Sequence, residues 1–253
     1  MTRPNWRVAV TRDEDDDGPL TSALVDEGFH PVRCVVMEAA SSREPDALET
    51  AAASLDAFDW IICASARSVS ALAGARMTAW PRGVRTAAVG ASTAEALVLA
   101  GADPTPLVGS SAGADSLWAV LSMTDWTGSR VLVPTVTGGR RTLIEGLRQA
   151  GAVVTEVEAY QMIPRPAAQI RMEWLAAAPD AAVISSPSTA SGLIIGVGTE
   201  ALADLRAIVA IGPTTAAALA AAGVPCQQAA RADFSEAART LARLRDTAPP
   251  RAW

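Results

Sequence analysis

The chain is poor in the side chains that carry most enzymatic chemistry. Its 253 residues include one histidine, one tyrosine, three phenylalanines and three cysteines. With His30 the only imidazole, there is no histidine-based metal site, and a serine or cysteine triad would have to use His30 as its base. His30 sits in the helix-to-strand turn Gly28-Phe29-His30-Pro31, which argues against ordinary acyl-transfer hydrolysis. Cys34, Cys63 and Cys226 are odd in number and far apart, so they make neither a disulfide framework nor a metal-ligand spacing. They read as small buried apolar residues.

Long apolar runs are missing too. Half of the residues are apolar and the mean hydropathy is +0.22, yet no run approaches the roughly 20 residues of a membrane helix. The opening MTRPNWRVAV leads straight into a strand, without the apolar core of about 7–15 residues that marks a secretory signal. The expected location is therefore the cytoplasm. A formal charge of −6 and a pI near 4.9 lack the clustered Lys and Arg of a nucleic-acid footprint. Nucleotide fingerprints are also absent. TVTGGRR, ending at Arg141, has no Gly-Lys-Ser/Thr, and GLIIGVG, starting at Gly192, lies where a helix should be ending, which speaks against ATP and NAD.

What the chain does have is an echo. Ala87 to Pro104, AAVGASTAEALVLAGADP, and the stretch IVAIGPTTAAALAAAGVP, ending at Pro225, share one grammar. In each, a strand runs into a glycine (Gly90, Gly212), then a hydroxyl pair (Ser92 and Thr93; Thr214 and Thr215), then an alanine-rich helix stopped by Gly101 or Gly223. Read alone, each is a strand, a tight turn, a capped helix and a glycine stop.

The echo extends along the chain. Arg130 lies over Arg7, Leu147 over Leu24 and Gly151 over Gly28, a displacement of 123 (130 − 7, 147 − 24, 151 − 28). AVISSPSTASGL lies over IICASARSVSAL, with Ser186 above Ser65, and Gly212 falls above Gly90. A displacement sustained from the first strand to the last helix is an internal duplication. At 253 residues, two domains of ordinary size are expected.

Strands alternating with helices, with hairpin signals nearly absent, call for an α/β fold with parallel sheets covered on both faces. RVAVTR is the first strand, Pro19 opens a helix that Gly28 closes, and PVRCVVMEA reads as the second strand. FDWIICA enters a helix that Ser65 or Ser68 caps. The acidic run Asp13 to Asp17 lacks the spacing of a calcium loop and reads as a solvated, flexible loop.

Parallel α/β sheets bind ligands at the carboxyl ends of their strands. That level holds Arg12, Ser65, Gly90 to Thr93, Thr135 to Arg141, Ser185 to Thr189 and Gly212 to Thr215. Each hydroxyl on its own is explained by helix capping, worth about 1 kcal/mol. As a group, several helix N-termini around one crevice suit an anion with several carboxylates or phosphates. Arg140 and Arg141 are candidates for bidentate carboxylate pairing, or simply a solvated helix start. Tyr160, at the strand end EAYQMIPRP, is either a packing residue or a catalytic one.

These residues resemble the uroporphyrinogen-III synthase family. The marks are VAVTR, WIICASARSVSAL, AAVGASTAEAL with AGADP, EAYQMIPRP, AVISSPSTASGL and AIGPTTAAALAAAGVP, spread over essentially the whole chain. The resemblance implies two flavodoxin-like parallel-sheet domains joined by a two-stranded linker, with the substrate held between them. Residues 1–36 with 165–253 would form one domain and 37–164 the other, with linker strands near 34–40 and 158–166.

It further implies a cofactor-free lyase that closes hydroxymethylbilane to uroporphyrinogen III, inverting ring D and losing water. No metal is implied. Tyr160 matches the tyrosine proposed to assist hydroxyl departure. Ser65, Ser92, Thr93, Ser186, Ser188, Thr214 and Thr215 match crevice positions that would hold acetate and propionate groups. Arg12, Arg67, Gly139, Arg140 and Arg141 complete the candidate substrate-binding set. Ala64 stands where many members carry Thr or Ser, and the acidic run would repel a polycarboxylate unless it points outward. A monomer with neither nucleic-acid nor membrane partner is expected, in passing contact with hydroxymethylbilane synthase. The alternative is a non-catalytic two-lobed module that binds an anionic ligand.

Overall fold

The computed structural model describes residues 5–14, 16–102, 104–109, 114–136 and 141–247. In chain order run β1 (Arg7–Val10), α1 (Pro19–Asp26), β2 (His30–Arg33), β3 (Met37–Ser41), α2 (Pro45–Ala53), β4 (Trp60–Cys63), α3 (Ala66–Gly74), β5 (Arg85–Ala88) and α4 (Ala91–Leu99). Then come β6 (Leu107–Val108), α5 (Ala114–Leu121), β7 (Arg130–Val136), α6 (Thr142–Gln149), β8 (Val153–Pro164), α7 (Ala167–Ala177) and β9 (Ala181–Ile184). The chain closes with α8 (Pro187–Val197), α9 (Thr199–Ala203), β10 (Ala207–Ala210), α10 (Pro213–Ala221), β11 (Gln227–Gln228) and α11 (Phe234–Thr247).

These elements form two compact units, Met1–Glu38 with Ile163–Trp253, and Ala39–Met162. The first holds a five-stranded sheet in the order β2-β1-β9-β10-β11, every neighbouring pair parallel. The second sheet runs β3-β8-β7-β4-β5-β6, and from β8 to β6 its pairs are parallel. Each unit takes two leading strands from one half of the sequence (β1 and β2, or β7 and β8) and three from the other. Numbered that way, both sheets read 2-1-3-4-5, with β3 added at one edge.

The central strands are buried on both faces. β4 and β9, Trp-Ile-Ile-Cys and Ala-Ala-Val-Ile, are buried at every residue. Such continuous apolar strands are what parallel sheets need. Ile61 and Cys63 pack with α3 and α4 (Val69, Leu72, Leu97). Trp60 and Ile62 face the other way, with Leu117, Leu121, Leu143 and Leu147 of α5 and α6. In the first unit Val8, Val10, Ala181 and Val183 pack with Leu20 and Leu24 of α1 and Leu241 of α11. Gly101 and Gly223 follow α4 and α10 with φ of +87° and +74°, the left-handed stop glycine allows.

Four expectations are corrected. PVRCVVMEA is not one strand: β2 ends at Arg33 and β3 begins at Met37. The intervening Cys34 and Val36 still donate to Val10 and Thr11, and Val36 accepts from Arg165, so the chain leaves the first sheet there. Tyr160 is not at a strand end, because β8 runs on to Pro164. The hydroxyl pairs do not cap α4 and α10: the N-caps are Gly90 and Gly212, with no side-chain cap bond, and the hydroxyls lie inside the first turn. The acidic run is only partly a free solvated loop: Asp16 and Asp17 are exposed, but its first two residues are engaged. Glu14, its side chain 5% exposed, sits 2.9 Å from the Arg12 guanidinium and accepts from Thr21 N–H and Oγ1 at 2.7 and 2.9 Å. Asp13 pairs with Arg33 at 2.7 Å.

Candidate functional site

In the second unit, β7 and β4 are neighbours from opposite halves of the sequence, and strand order reverses there. A ligand crevice forms naturally at such a switch point, because the following loops diverge to opposite faces. A cleft of about 240 Å³ opens beside it, lined by Ala64, Ser65 and Ser68 after β4, Pro134 and Thr135 of β7, and Tyr160.

Ser65 is the N-cap of α3. Its Oγ accepts the Ser68 N–H at 3.1 Å, and Ser68 Oγ returns a bond to the Ser65 carbonyl at 2.8 Å. The cap therefore ties both ends of the first turn. Tyr160 Oη lies 3.3 Å from Ser65 Oγ.

The tyrosine reaches that cap through a β-bulge. Glu158 opposes Thr135 but Tyr160 opposes Val136, leaving Ala159 as an extra residue on β8. In a regular strand Tyr160 would share the face of Glu158, whose carboxylate is held by Arg43 at 2.7 Å. The extra residue instead puts Tyr160 on the core cluster of Val157 and Ala159. Bulges re-aim a side chain in this way and gather next to active sites. Tyr160 also borders a second pocket, of about 440 Å³, with Ser41 of β3, Glu49 of α2 and Arg67 of α3.

The other candidates divide by location. Ser92 and Thr214 are exposed at the open starts of α4 and α10, whereas Thr93 and Thr215 are turned inward, 4% and 2% exposed. Ser186 repeats the Ser65 cap in the first unit, accepting from Thr189 N–H at 3.1 Å, with Ser188 exposed one residue before. Arg12 is engaged by Glu14 and lies 4.6 Å over the Phe234 ring. Arg141 faces Glu156 at 3.5 Å and Glu145 at 3.8 Å. Gly139 and Arg140 lie outside the described residues. Cys63, at the end of β4, has its thiol pushed up to about 12 by burial, so it is no nucleophile.

A family model for uroporphyrinogen-III synthase HemD matches residues 18–238. The chain belongs to the uroporphyrinogen-III synthase family. Members of this family are cyclising lyases of tetrapyrrole biosynthesis. The uroporphyrinogen-III synthase of Proteus mirabilis is 28% identical over 159 residues, 62% of this chain and 80% of that protein. That of Synechococcus elongatus is 31% identical over 165 residues, 61% of this chain and 60% of that protein.

Solved structures show the same fold. The Helicobacter pylori uroporphyrinogen-III synthetase gives a TM-score of 0.58 at 16% identity, covering 94% of this chain and 98% of that one. A mutant uroporphyrinogen III synthase of Thermus thermophilus gives 0.52 at 20%, with the same coverage. No helix among the described residues is long and apolar enough to cross a membrane.

One contributor to this site has no signal in the sequence: the bulge at Ala159. Of the two cap candidates for α3, Ser65 is the N-cap, and Ser68, 1% exposed, anchors it.

Proposed function

We propose that this member of the uroporphyrinogen-III synthase family closes hydroxymethylbilane to uroporphyrinogen III, with inversion of ring D and loss of water. The observation that carries the reading is the position of Tyr160. The only tyrosine of the chain is bulged onto the N-cap of a helix, at the switch point of a parallel sheet, on the wall of a cleft.

Much of the reactivity belongs to the substrate. As its hydroxymethyl C–O bond breaks, the Tyr160 proton goes to the departing oxygen, which leaves as water with the bond pair. The azafulvene left behind is attacked by a substituted pyrrole carbon through a spiro intermediate. The protein's larger task is to hold the bilane folded so that unassisted closure to isomer I is outrun. The open N-termini of α4 and α10, with Ser92 and Thr214, and the capped starts at Ser65 and Ser186 suit acetate and propionate groups. Arg12, Arg67, Arg141 and Ser188 are the further side chains for those carboxylates.

The same reading makes the chain two flavodoxin-like domains born of a duplication, residues 1–36 with 165–253 and residues 37–164, with linker strands near 34–40 and 158–166. The shared 2-1-3-4-5 order supports it. It acts as a cytoplasmic monomer, in passing contact with the synthase that makes its substrate.

The test supplies freshly made hydroxymethylbilane and separates the oxidised products by chromatography. Isomer III should predominate. Isomer I alone, formed at the rate of the enzyme-free blank, would overturn the proposal.

A further inference from the structure

The hydroxyl groups around Tyr160 fix one another's direction. Ser68 has a single hydroxyl proton, and its shortest contact, 2.8 Å, is to the Ser65 carbonyl. With that proton committed, Ser68 Oγ can only accept from Ser65 Oγ, 3.1 Å away. Ser65 Oγ already takes the Ser68 N–H at 3.1 Å. It has one proton and two lone pairs. If it donates to Ser68, one lone pair remains, and the Tyr160 hydroxyl at 3.3 Å fills it. This arrangement leaves no two of these oxygens facing each other without a proton between them. The reverse direction leaves Ser65 and Ser68 oxygens lone pair to lone pair at 3.1 Å, in a place where Ser68 is 1% exposed and water cannot relieve the repulsion.

We propose that Ser65 is the positioning residue for Tyr160 and that Ser68 sets its direction, so that in the unliganded protein the Tyr160 proton rests on Ser65. The cleft then meets the phenol oxygen's lone pairs, and the first group Tyr160 binds is a donor such as a pyrrole N–H. The first unit keeps the pair, Ser186 and Thr189 hydroxyls 2.9 Å apart. It has Met37 where the duplication aligns Tyr160, so the chain of hydroxyls ends there without a phenol.

The consequence for turnover rests on the reaction proposed above. When Tyr160 gives its proton to the departing hydroxyl, its Oη–H bond breaks and a phenolate forms. Ser65 then turns its hydroxyl from Ser68 to the phenolate by one bond rotation. No proton passes to or from Ser65. The proton set free when the macrocycle closes restores the phenol.

Because Tyr160 is the only tyrosine, the Raman doublet of the phenol ring reports it alone. The intensity ratio of that doublet is low for a phenol that donates and high for one that accepts. The parent protein without ligand should show the low ratio. Ser68→Ala keeps the Ser68 N–H on the cap, and the Ser65 carbonyl still accepts from Val69 N–H at 3.3 Å, so folding is retained. Ser65 is then free to donate, and the ratio should rise. A high ratio in the parent overturns the proposal without any variant, as does an unchanged ratio in Ser68→Ala. In the assay, Ser68→Ala should raise KM by about 3- to 10-fold, the size of one neutral hydrogen bond, because the Tyr160 proton then faces the pyrrole donor. It should not lower kcat, because Ser65 no longer has to leave Ser68 to reach the phenolate. In a Tyr160→Phe background it should have no further effect. If Tyr160→Phe alone leaves turnover intact, the catalytic role falls, while the Raman result still decides the direction.

Discussion

Asp59 and Arg130 lock two parallel strands together at their starts. The Arg130 N–H donates to the Asp59 carboxylate at 2.7 Å, and the Asp59 N–H donates to the Arg130 carbonyl at 2.9 Å. Asp180 and Arg7 repeat the lock in the other unit, at 3.0 and 2.7 Å. Both locks lie at the opposite end of the sheets from the candidate site, where sequence serves stability.

The lock has a pH signature. The backbone N–H of Arg130, more than its side chain, holds the Asp59 carboxyl below its ordinary 3.8. A carboxyl depressed by folding stabilises the protein above its unfolded value, and that contribution is lost as pH falls through the folded value. Asp59→Asn should therefore melt lower than the parent at neutral pH, with the gap closing below about pH 4. Melting curves from pH 7 to pH 3 check this, and a gap of constant size would refute the assignment.

Tyr160→Phe keeps the ring that packs on Val157 and Ala159 and removes only the hydroxyl. Turnover should fall by roughly 10- to 100-fold, the low end of what one general acid supplies, with an unchanged circular dichroism spectrum. Full activity would make Tyr160 a packing residue.

The repeat and the parallel α/β class could be read from residues. Apolar runs such as WIIC and AAVI, the stop glycines and the duplicated serine caps are local signals. The rest depended on partners far along the chain. The break between Arg33 and Met37 is invisible in a run as β-prone as PVRCVVM, because it is set by the residues that Val36 bonds. The bulge at Ala159 exists only relative to Val136. DEDDDG looks solvated by composition, yet the Glu14 side chain is nearly covered, because Thr21 and Arg12 converge on it. Gly90 and Gly212 read as turns, but the neighbouring hydroxyls lie two and three residues past the cap, a difference that composition does not register.

The three thiols should separate by reactivity. Burial pushes Cys34 and Cys63 up to about 12. Cys226 is raised in the same direction, also by burial, but is partly exposed. At pH 8 an aromatic disulfide reagent should label one thiol, Cys226, and the other two only after denaturant is added. Two thiols reacting at equal rates in the folded protein would contradict the burial.

Gly196 lets α8 approach α7. A Cβ there would lie 2.7 Å from Ile170 Cγ2 and 2.9 Å from Ile170 Cβ. The second of these cannot swing away, since it is fixed to the α7 backbone. Gly196→Ala should destabilise the fold by about 1–3 kcal/mol, and Ile170→Val combined with it should recover none of the loss, because valine keeps the Cβ and Cγ2 atoms that clash. Denaturant midpoints read both. A neutral Gly196→Ala would mean that the two helices slide apart freely.

Glu14 sets stability against binding. Its carboxylate caps the start of α1 from outside, since the N-cap Gly18 has no side-chain cap bond, and it neutralises Arg12 at the carboxyl end of β1. Glu14→Gln keeps an oxygen for Thr21 but removes the charge. The fold should weaken by about 1 kcal/mol or less. The Arg12 guanidinium loses its internal counter-ion and becomes a stronger partner for a carboxylate from outside. If Arg12 holds substrate, KM for hydroxymethylbilane should fall although the protein is less stable, and added salt should reverse the gain. Opposite movements of Tm and KM are hard to produce by damage alone. A KM that stays level or rises would remove Arg12 from the substrate set and leave Glu14 a purely structural cap.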